Sequence, residues 1–171
     1  INGVNIYPFA SDSELFGFIS ERKGILVAIN ADKIYRATEE TRAIINGNTG
    51  YIYGAGALIA VKKKGHVNAI KIPGCELWLK IIGRYYKEKY FYLVGAAQEV
   101  IEDVVGKLRT DFPGIKILNY RNGYLKSADE ERVLIEDITL LKPDIVFVAM
   151  GSPRQELLMQ RMNEAHKAVY Q

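Results

Sequence analysis

The chain has 171 residues, of which 49% are hydrophobic and 25% charged, with 23 Lys+Arg set against 20 Asp+Glu. This composition excludes a disordered tail, a collagen-like fibre and a low-complexity linker. A net charge of +3 is too small to argue for nucleic acid. The length suits one domain, expected to span 1–171. The apolar run at 145–150 falls far short of the ~20 residues needed to cross a bilayer, and the first residues lack the basic start and apolar core of a secretory signal. Cys75 has no second cysteine to pair with, so a reducing, cytoplasmic setting is expected.

Short apolar runs bounded by polar or glycine residues predict strands at 24–30, 90–95, 116–120 and 144–150. Helical spacing predicts helices over 31–45, 75–86, 98–108, 129–141 and 153–164. In the helix at 75–86, Leu77, Ile81 and Ile82 share one side. Pro153 falls where proline is welcome, at a first helical position. Residues 50–56, Gly-Tyr-Ile-Tyr-Gly-Ala-Gly, read as a glycine-rich loop that is mobile or close to a ligand. Residues 168–171 read as a strand just beginning, so the natural chain is expected to continue past Gln171. The run at 145–150 is apolar on both faces, which predicts strands covered on each side. The expected fold class is therefore α/β, a Rossmann-like open, mainly parallel sheet with helices on both faces.

Open parallel sheets bind ligands beyond the carboxyl ends of their strands. After the first strand come Asn30 and Asp32. The Asn30 carboxamide suits sugar hydroxyls and a helix cap equally well. After Val94, Gly95 and Ala96 lead into a helix without the further glycines of GxGxxG, which disfavours a dinucleotide but leaves backbone N–H groups for a phosphate. After Met150 comes Gly151-Ser152-Pro153-Arg154-Gln155-Glu156. Ser152 can cap, Glu156 suits the helix dipole, and Arg154 and Gln155 in the first turn suit a diphosphate or nucleotide sugar. Gly123 marks a turn, and Tyr124 can stack on a ring or simply pack. Lys71 and Glu76 arrive at a helix start. There is no GxSxG and no P-loop, and His66 and His166 lack metal-ligand spacing, so neither a metal nor a cofactor is expected. Lys62, Lys63, Lys64 and His66 form a basic run, read either as a solvated helix end or as attraction to anionic lipid or phosphate.

Several stretches, in chain order, resemble the WecG/TagA/CpsF glycosyltransferase family. They are Val-Ala-Ile-Asn-Ala-Asp-Lys at 27–33, residues 50–64, Pro-Gly-Cys-Glu-Leu-Trp at 73–78, Phe-Tyr-Leu-Val-Gly at 91–95, Asn-Gly-Tyr at 122–124, and Val-Ala-Met-Gly-Ser-Pro-Arg-Gln-Glu-Leu at 148–157. The resemblance implies inverting transfer of an N-acetylmannosamine-type sugar, or its uronic acid, from a UDP-sugar donor. The implied acceptor is N-acetylglucosamine linked through diphosphate to a polyprenyl lipid. It also implies a cytoplasmic enzyme peripheral at the inner membrane face, held by a basic C-terminal segment that would follow Gln171, with homo-oligomerisation left open. Carried over, the catalytic set is Asn30, Tyr53, Lys71, Glu76 and Gln155. The substrate-binding set is Asp32, Gly54, Gly95, Ala96, Gly123, Tyr124, Gly151, Ser152, Pro153, Arg154 and Glu156.

Three positions depart from the family pattern, the mildest being Ala28 in place of the threonine of some relatives. Lys71 stands where arginine is usual, keeping the charge but losing the bidentate fork. Tyr53 stands where Gly-Tyr-Pro-Asp-Gly carries an aspartate, the expected general base. A phenol is a poor base at neutral pH unless strongly perturbed. Either Glu76 takes over, or the enzyme is weakened, or the chain binds nucleotide sugar without turnover.

Overall fold

The computed structural model describes all 171 residues and divides them into two compact units, Ile1–Ile81 and Ile82–Gln171. The first unit contains α1 (Asp12–Glu21), β1 (Gly24–Ile29), α2 (Ala31–Tyr35), α3 (Glu39–Asn46), β2 (Thr49–Ile52), α4 (Ala55–Lys63) and most of α5 (Gly74–Tyr85). β1 and β2 run parallel, with Ile29 beside Ile52. Ile25, Leu26, Val27 and Ile29 are all buried, so β1 is covered on both faces, as strands of parallel sheets are. Helix α1 starts where the Ser11 hydroxyl accepts the Glu14 amide (3.1 Å), and it buries Leu15 and Ile19, four residues apart. Tyr7, Phe9 and Phe18 pack on one another with ring centroids 5.0–5.8 Å apart.

Two expectations need correction in this unit, and one further helix was not foreseen. The helix expected over 31–45 is two helices. The hydroxyl of Thr38 accepts the Thr41 amide while the Thr41 hydroxyl accepts the Thr38 amide, and this reciprocal cap opens α3 where a continuous helix would have run through. Residues 50–56 are not a loop, because their first half is β2 and their second half opens α4. Glycine is needed at Gly50 because an added Cβ would lie 2.8 Å from the Asn5 carbonyl oxygen. Helix α1 was not expected from the sequence.

The second unit holds the end of α5 and then β3 (Tyr90–Gly95), α6 (Gln98–Asp111), β4 (Lys116–Arg121), α7 (Ala128–Leu141), β5 (Ile145–Ala149), α8 (Arg154–Ala165) and β6 (Val169–Tyr170). Its strands lie in the order β6-β5-β3-β4, every pair parallel. The strands and helices expected here are present, with ends that differ by a few residues. The class is α/β with parallel pairing throughout, the Rossmann-like architecture expected. The β3–β4 register slips once: Phe91 faces Ile117 and Tyr92 faces Asn119, so Leu118 is an extra residue. The slip brings Asn119 and Tyr92 to one acceptor. The Tyr92 hydroxyl (2.6 Å) and the Asn119 amide (2.8 Å) both donate to the Asp137 carboxylate. Burial, with help from Asp137, holds the Tyr92 hydroxyl well above the ordinary tyrosine range.

Candidate active site

In the first unit, the residues singled out from sequence gather at the carboxyl ends of β1 and β2. Asn30 follows β1, and its side-chain oxygen accepts the Lys33 amide (2.7 Å), so it is the N-cap of α2. The cap uses the oxygen only, and the Asn30 amide donors remain open to a ligand. Tyr53 and Gly54 follow β2, and their amides reach the Ile29 carbonyl at 2.8 and 3.4 Å. A Cβ on Gly54 would lie 2.9 Å from the Asn30 Cβ, and one on Gly56 would lie 2.9 Å from the Ala31 Cβ. Glycine at both positions thus lets the start of α4 press against Asn30 and Ala31. The segment that carries Lys71 is tied to β2 by the Ile72 amide, which donates to the Ile52 carbonyl (2.7 Å). Gly74 then passes the Tyr51 hydroxyl at a distance no side chain tolerates easily, with an added Cβ at 3.0 Å.

The polar groups of this cluster face solvent. Tyr53 is 40% exposed, and Asp32, Lys71 and Glu76 are exposed as well. Asp32 is held by the Arg36 guanidinium (2.6 Å), which occupies part of its carboxylate. Glu76 lies in the first turn of α5 and helps to raise the Lys80 ammonium, though the main cause there is the hydrogen bond from Lys80 to Asp12.

In the second unit, the turns after β3, β4 and β5 are tied together. The Ala96 amide donates to the Ala149 carbonyl (3.1 Å), and the Gly123 amide to the Ala96 carbonyl (3.0 Å). Gly95 has φ 145° and Ala96 has φ 56°, a pair of positive values that turns the chain sharply away from β3. A Cβ on Gly95 would run into the Ala149 backbone, and one on Gly123 would lie 2.9 Å from the Met150 Cγ and 3.1 Å from the Gly95 Cα. Tyr124 is 62% exposed, so the structure leaves its ring free to stack. Asn122 reaches back to Gln98 at the start of α6 (2.8 Å).

The turn after β5 differs in detail from the expectation. Pro153 is the N-cap of α8 rather than its first residue, the Ser152–Pro153 peptide is cis, and the Ser152 hydroxyl does not cap. The Gln155 side-chain oxygen accepts the Gly151 amide (3.1 Å), and the Arg154 guanidinium donates to the Leu125 carbonyl (2.7 Å). Both side chains thus brace the turn, with donors left over for a ligand. Glu156, expected among the substrate-binding residues, is 2% exposed, so in this conformation it faces the protein interior rather than a ligand.

Within each unit the helix starts differ in a way the sequence does not show. Helices α1, α2, α3 and α7 all begin with a side-chain cap, from Ser11, Asn30, Thr38 and Ser127 respectively. Helices α4, α6 and α8, which follow β2, β3 and β5, begin at Gly54, Ala97 and Pro153 with none. Apart from the Gln155 amide, which donates to the Gly151 carbonyl (3.0 Å), their first-turn N–H groups are left for solvent or an anion, at the positive end of each helix. The sequence reading missed α4 altogether. The one available signal was the spacing of Ala57 and Val61, both buried, behind the glycines.

Strand ends of this kind, with uncapped helix starts beside carboxamide, guanidinium and aromatic groups, define an α/β protein suited to phosphorylated, hydroxyl-rich ligands. No three His, Cys, Asp or Glu side chains are grouped to share a metal ion, and no helix is long and apolar enough to cross a membrane. The sequence profile of the Glycosyl transferase WecG/TagA/CpsF family matches residues 5–170. The chain belongs to that family and is a glycosyltransferase of cell-surface polysaccharide synthesis.

Proposed function

We propose that the chain moves N-acetylmannosamine, or its uronic acid, from UDP to N-acetylglucosamine linked through diphosphate to a polyprenyl lipid, with inversion. The observation that carries this reading is the set of uncapped helix starts after β2, β3 and β5, in a chain of this family. A UDP leaving group develops negative charge as the glycosidic bond breaks, and fixed N–H donors offset such charge without reorganising.

The reaction needs a base for the acceptor hydroxyl, donors for the departing diphosphate, and groups that hold the sugar in line. The acceptor oxygen gives up its proton to the base and attacks the anomeric carbon. The bond to UDP breaks on the opposite face, and UDP leaves with the electron pair. The Ser152 amide and the first-turn amides of α4 and α6 supply backbone donors, since the Ala96 and Gly151 amides are already engaged by Ala149 and Gln155, and Gly95 and Ala96 shape the turn beside them. Arg154, Gln155 and Lys71 supply cationic and amide donors, and the Asn30 amide orients sugar hydroxyls. Glu76, an exposed carboxylate, is the base in this reading, with Gly54, Gly123 and Tyr124 shaping the substrate surface. The enzyme works as a peripheral protein at the inner membrane face, where its acceptor resides.

A second reading is favoured by one observation, the phenol of Tyr53 in the place of the expected acid: a nucleotide-sugar-binding protein of the same fold without turnover. Transfer of label from UDP-N-acetylmannosamine and from its uronic acid to a GlcNAc-diphosphate-lipid separates the two. Turnover supports the transferase, whereas UDP-sugar binding without turnover supports the binder. Neither binding nor turnover would overturn both.

A further inference from the structure

From Thr41 to Cys75 the chain contains no Asp or Glu, yet it carries Arg42, Lys62, Lys63, Lys64, Lys71 and His66. The first acid from the N-terminus is Asp12, so residues 1–11 carry none either. These acid-free segments meet in space. A cavity of about 540 Å³ within the first unit is lined by Val4, Ile6, Pro8 and Val61 together with Lys64 and His66. Apolar walls, a lysine and an imidazole therefore share one concavity. None of Lys62, Lys63, Lys64 or His66 has a carboxylate partner.

Helix α4 extends this surface. At 100° per residue, Ala55, Gly56, Ile59, Lys62 and Lys63 fall within about 120° of arc, and all five are exposed. Ile59 is 57% exposed, and Val67, just past the helix, is 65% exposed. The face is small and apolar at the Tyr53 end and cationic at the other. The nearest acid on a helix packed against α4 is Asp32 of α2, which Arg36 already holds. An isolated basic run is commonly a solvated helix end. Here the cations stand beside exposed Ile59 and Val67, and this pairing of apolar and cationic groups is what anionic lipid headgroups recognise.

We propose that the exposed face of α4, continued through residues 64–67, is the surface by which the protein rests on an anionic membrane. The lysines engage lipid phosphates while Ile59 and Val67 enter the headgroup layer. This surface rests on the reading of a lipid-borne acceptor only for its purpose, since it stands on this chain's own charge and apolar exposure. The N-terminal end of the same helix carries Gly54, beside Tyr53, so the helix runs from the candidate catalytic residues to the membrane-seeking lysines over about 13 Å.

The test is co-sedimentation of the 171-residue chain with vesicles of phosphatidylcholine alone and of phosphatidylcholine with one-third phosphatidylglycerol. Each lysine near such a surface is worth about fivefold in affinity. The triple variant Lys62→Glu, Lys63→Glu, Lys64→Glu is expected to bind the anionic vesicles roughly 100-fold more weakly, and Ile59→Ser with Val67→Ser several-fold more weakly. Equal binding to both vesicles, or unchanged binding by the triple variant, overturns the proposal. Displacement by millimolar inorganic diphosphate at constant ionic strength also overturns it, since the run would then be a soluble-phosphate subsite. Should the variants fold poorly, an environment-sensitive dye on Val67→Cys in a Cys75→Ser background reads the parent surface directly. A blue shift on anionic vesicles supports the proposal, and an unchanged spectrum overturns it. The vesicles carry no sugar acceptor, so a failure here leaves the transferase reading intact, and a failed transfer assay leaves this one intact.

Discussion

The Gly123 amide donates to the Ala96 carbonyl at 3.0 Å, and the two residues hold the turns after β4 and β3 against each other. Nothing larger than hydrogen fits on Gly123, because a Cβ would lie 2.9 Å from the Met150 Cγ and 3.1 Å from the Gly95 Cα. Gly123→Ala is expected to cost about 1–3 kcal/mol, since Met150 can swing aside but the Gly95 backbone cannot. Gly95→Ala should cost more, because its φ of 145° is closed to alanine and the Ala149 backbone stands in the way. Urea denaturation of both variants beside the parent measures the order.

Asn30 serves two roles that substitution can separate. Asn30→Ala removes the cap on Lys33 and should cost about 1 kcal/mol. Asn30→Asp keeps an oxygen for the cap but has no amide donor. Its melting temperature should stay near the parent's, while transfer activity falls with that of Asn30→Ala. If Asn30→Asp retains full activity, Asn30 is a cap and nothing more.

The base can be assigned by substitution at two positions. If Glu76 takes the acceptor proton, Glu76→Gln lowers kcat by about 10²–10⁴-fold with little change in stability, since Glu76 is exposed. Tyr53→Asp, at a site 40% exposed, should fold normally and raise turnover if the phenol has weakened the enzyme. Activity that survives Glu76→Gln but vanishes in Tyr53→Phe would move the role to Tyr53. Single-turnover assays with saturating donor read each variant.

Stability should fall in alkali for a reason located at Tyr92. Burial first, then its bond to Asp137, raises the hydroxyl's titration above the ordinary value of 10.0. Above that ordinary value the unfolded chain sheds the proton while the folded chain keeps it, so unfolding gains on folding as pH climbs. The contribution is whole below pH ~10 and drains away as pH rises toward the folded value. Tyr170, also raised by burial, acts in the same direction. Urea midpoints of the parent should drop between pH 9 and 11 on this basis, and those of Tyr92→Phe should drop less steeply.

The second unit was legible because its strands are long apolar runs and its helices repeat cleanly. Ile145, Val146, Phe147 and Val148 are all buried, as a strand covered on both faces requires. The first unit hid its elements behind glycine. β2 is four residues long and includes Gly50, while α4 opens on Gly54 and includes Gly56, so local propensity pointed to a loop. What makes those glycines part of regular structure is close approach to Asn5, Asn30 and Ala31, distant contacts that no window of sequence contains. The site showed the same divide. Residue types at strand ends were readable from order alone, whereas the folding of Gln155 onto Gly151, the grip of Arg154 on Leu125 and the burial of Glu156 depend on three-dimensional packing.

The slipped register between β3 and β4 has a bearing on how the protein behaves in a crowded cell. β4 ends the strand order of its unit and so presents backbone donors and acceptors along its outer side. The extra residue at Leu118 interrupts the even spacing that a foreign strand would need in order to zip on. Lys116 and Arg121 add charge at either end of that border. The irregularity that delivers Asn119 to Asp137 is therefore also a guard against runaway strand addition, and smoothing it by deletion of Leu118 would trade one internal hydrogen bond for a tendency to form fibres.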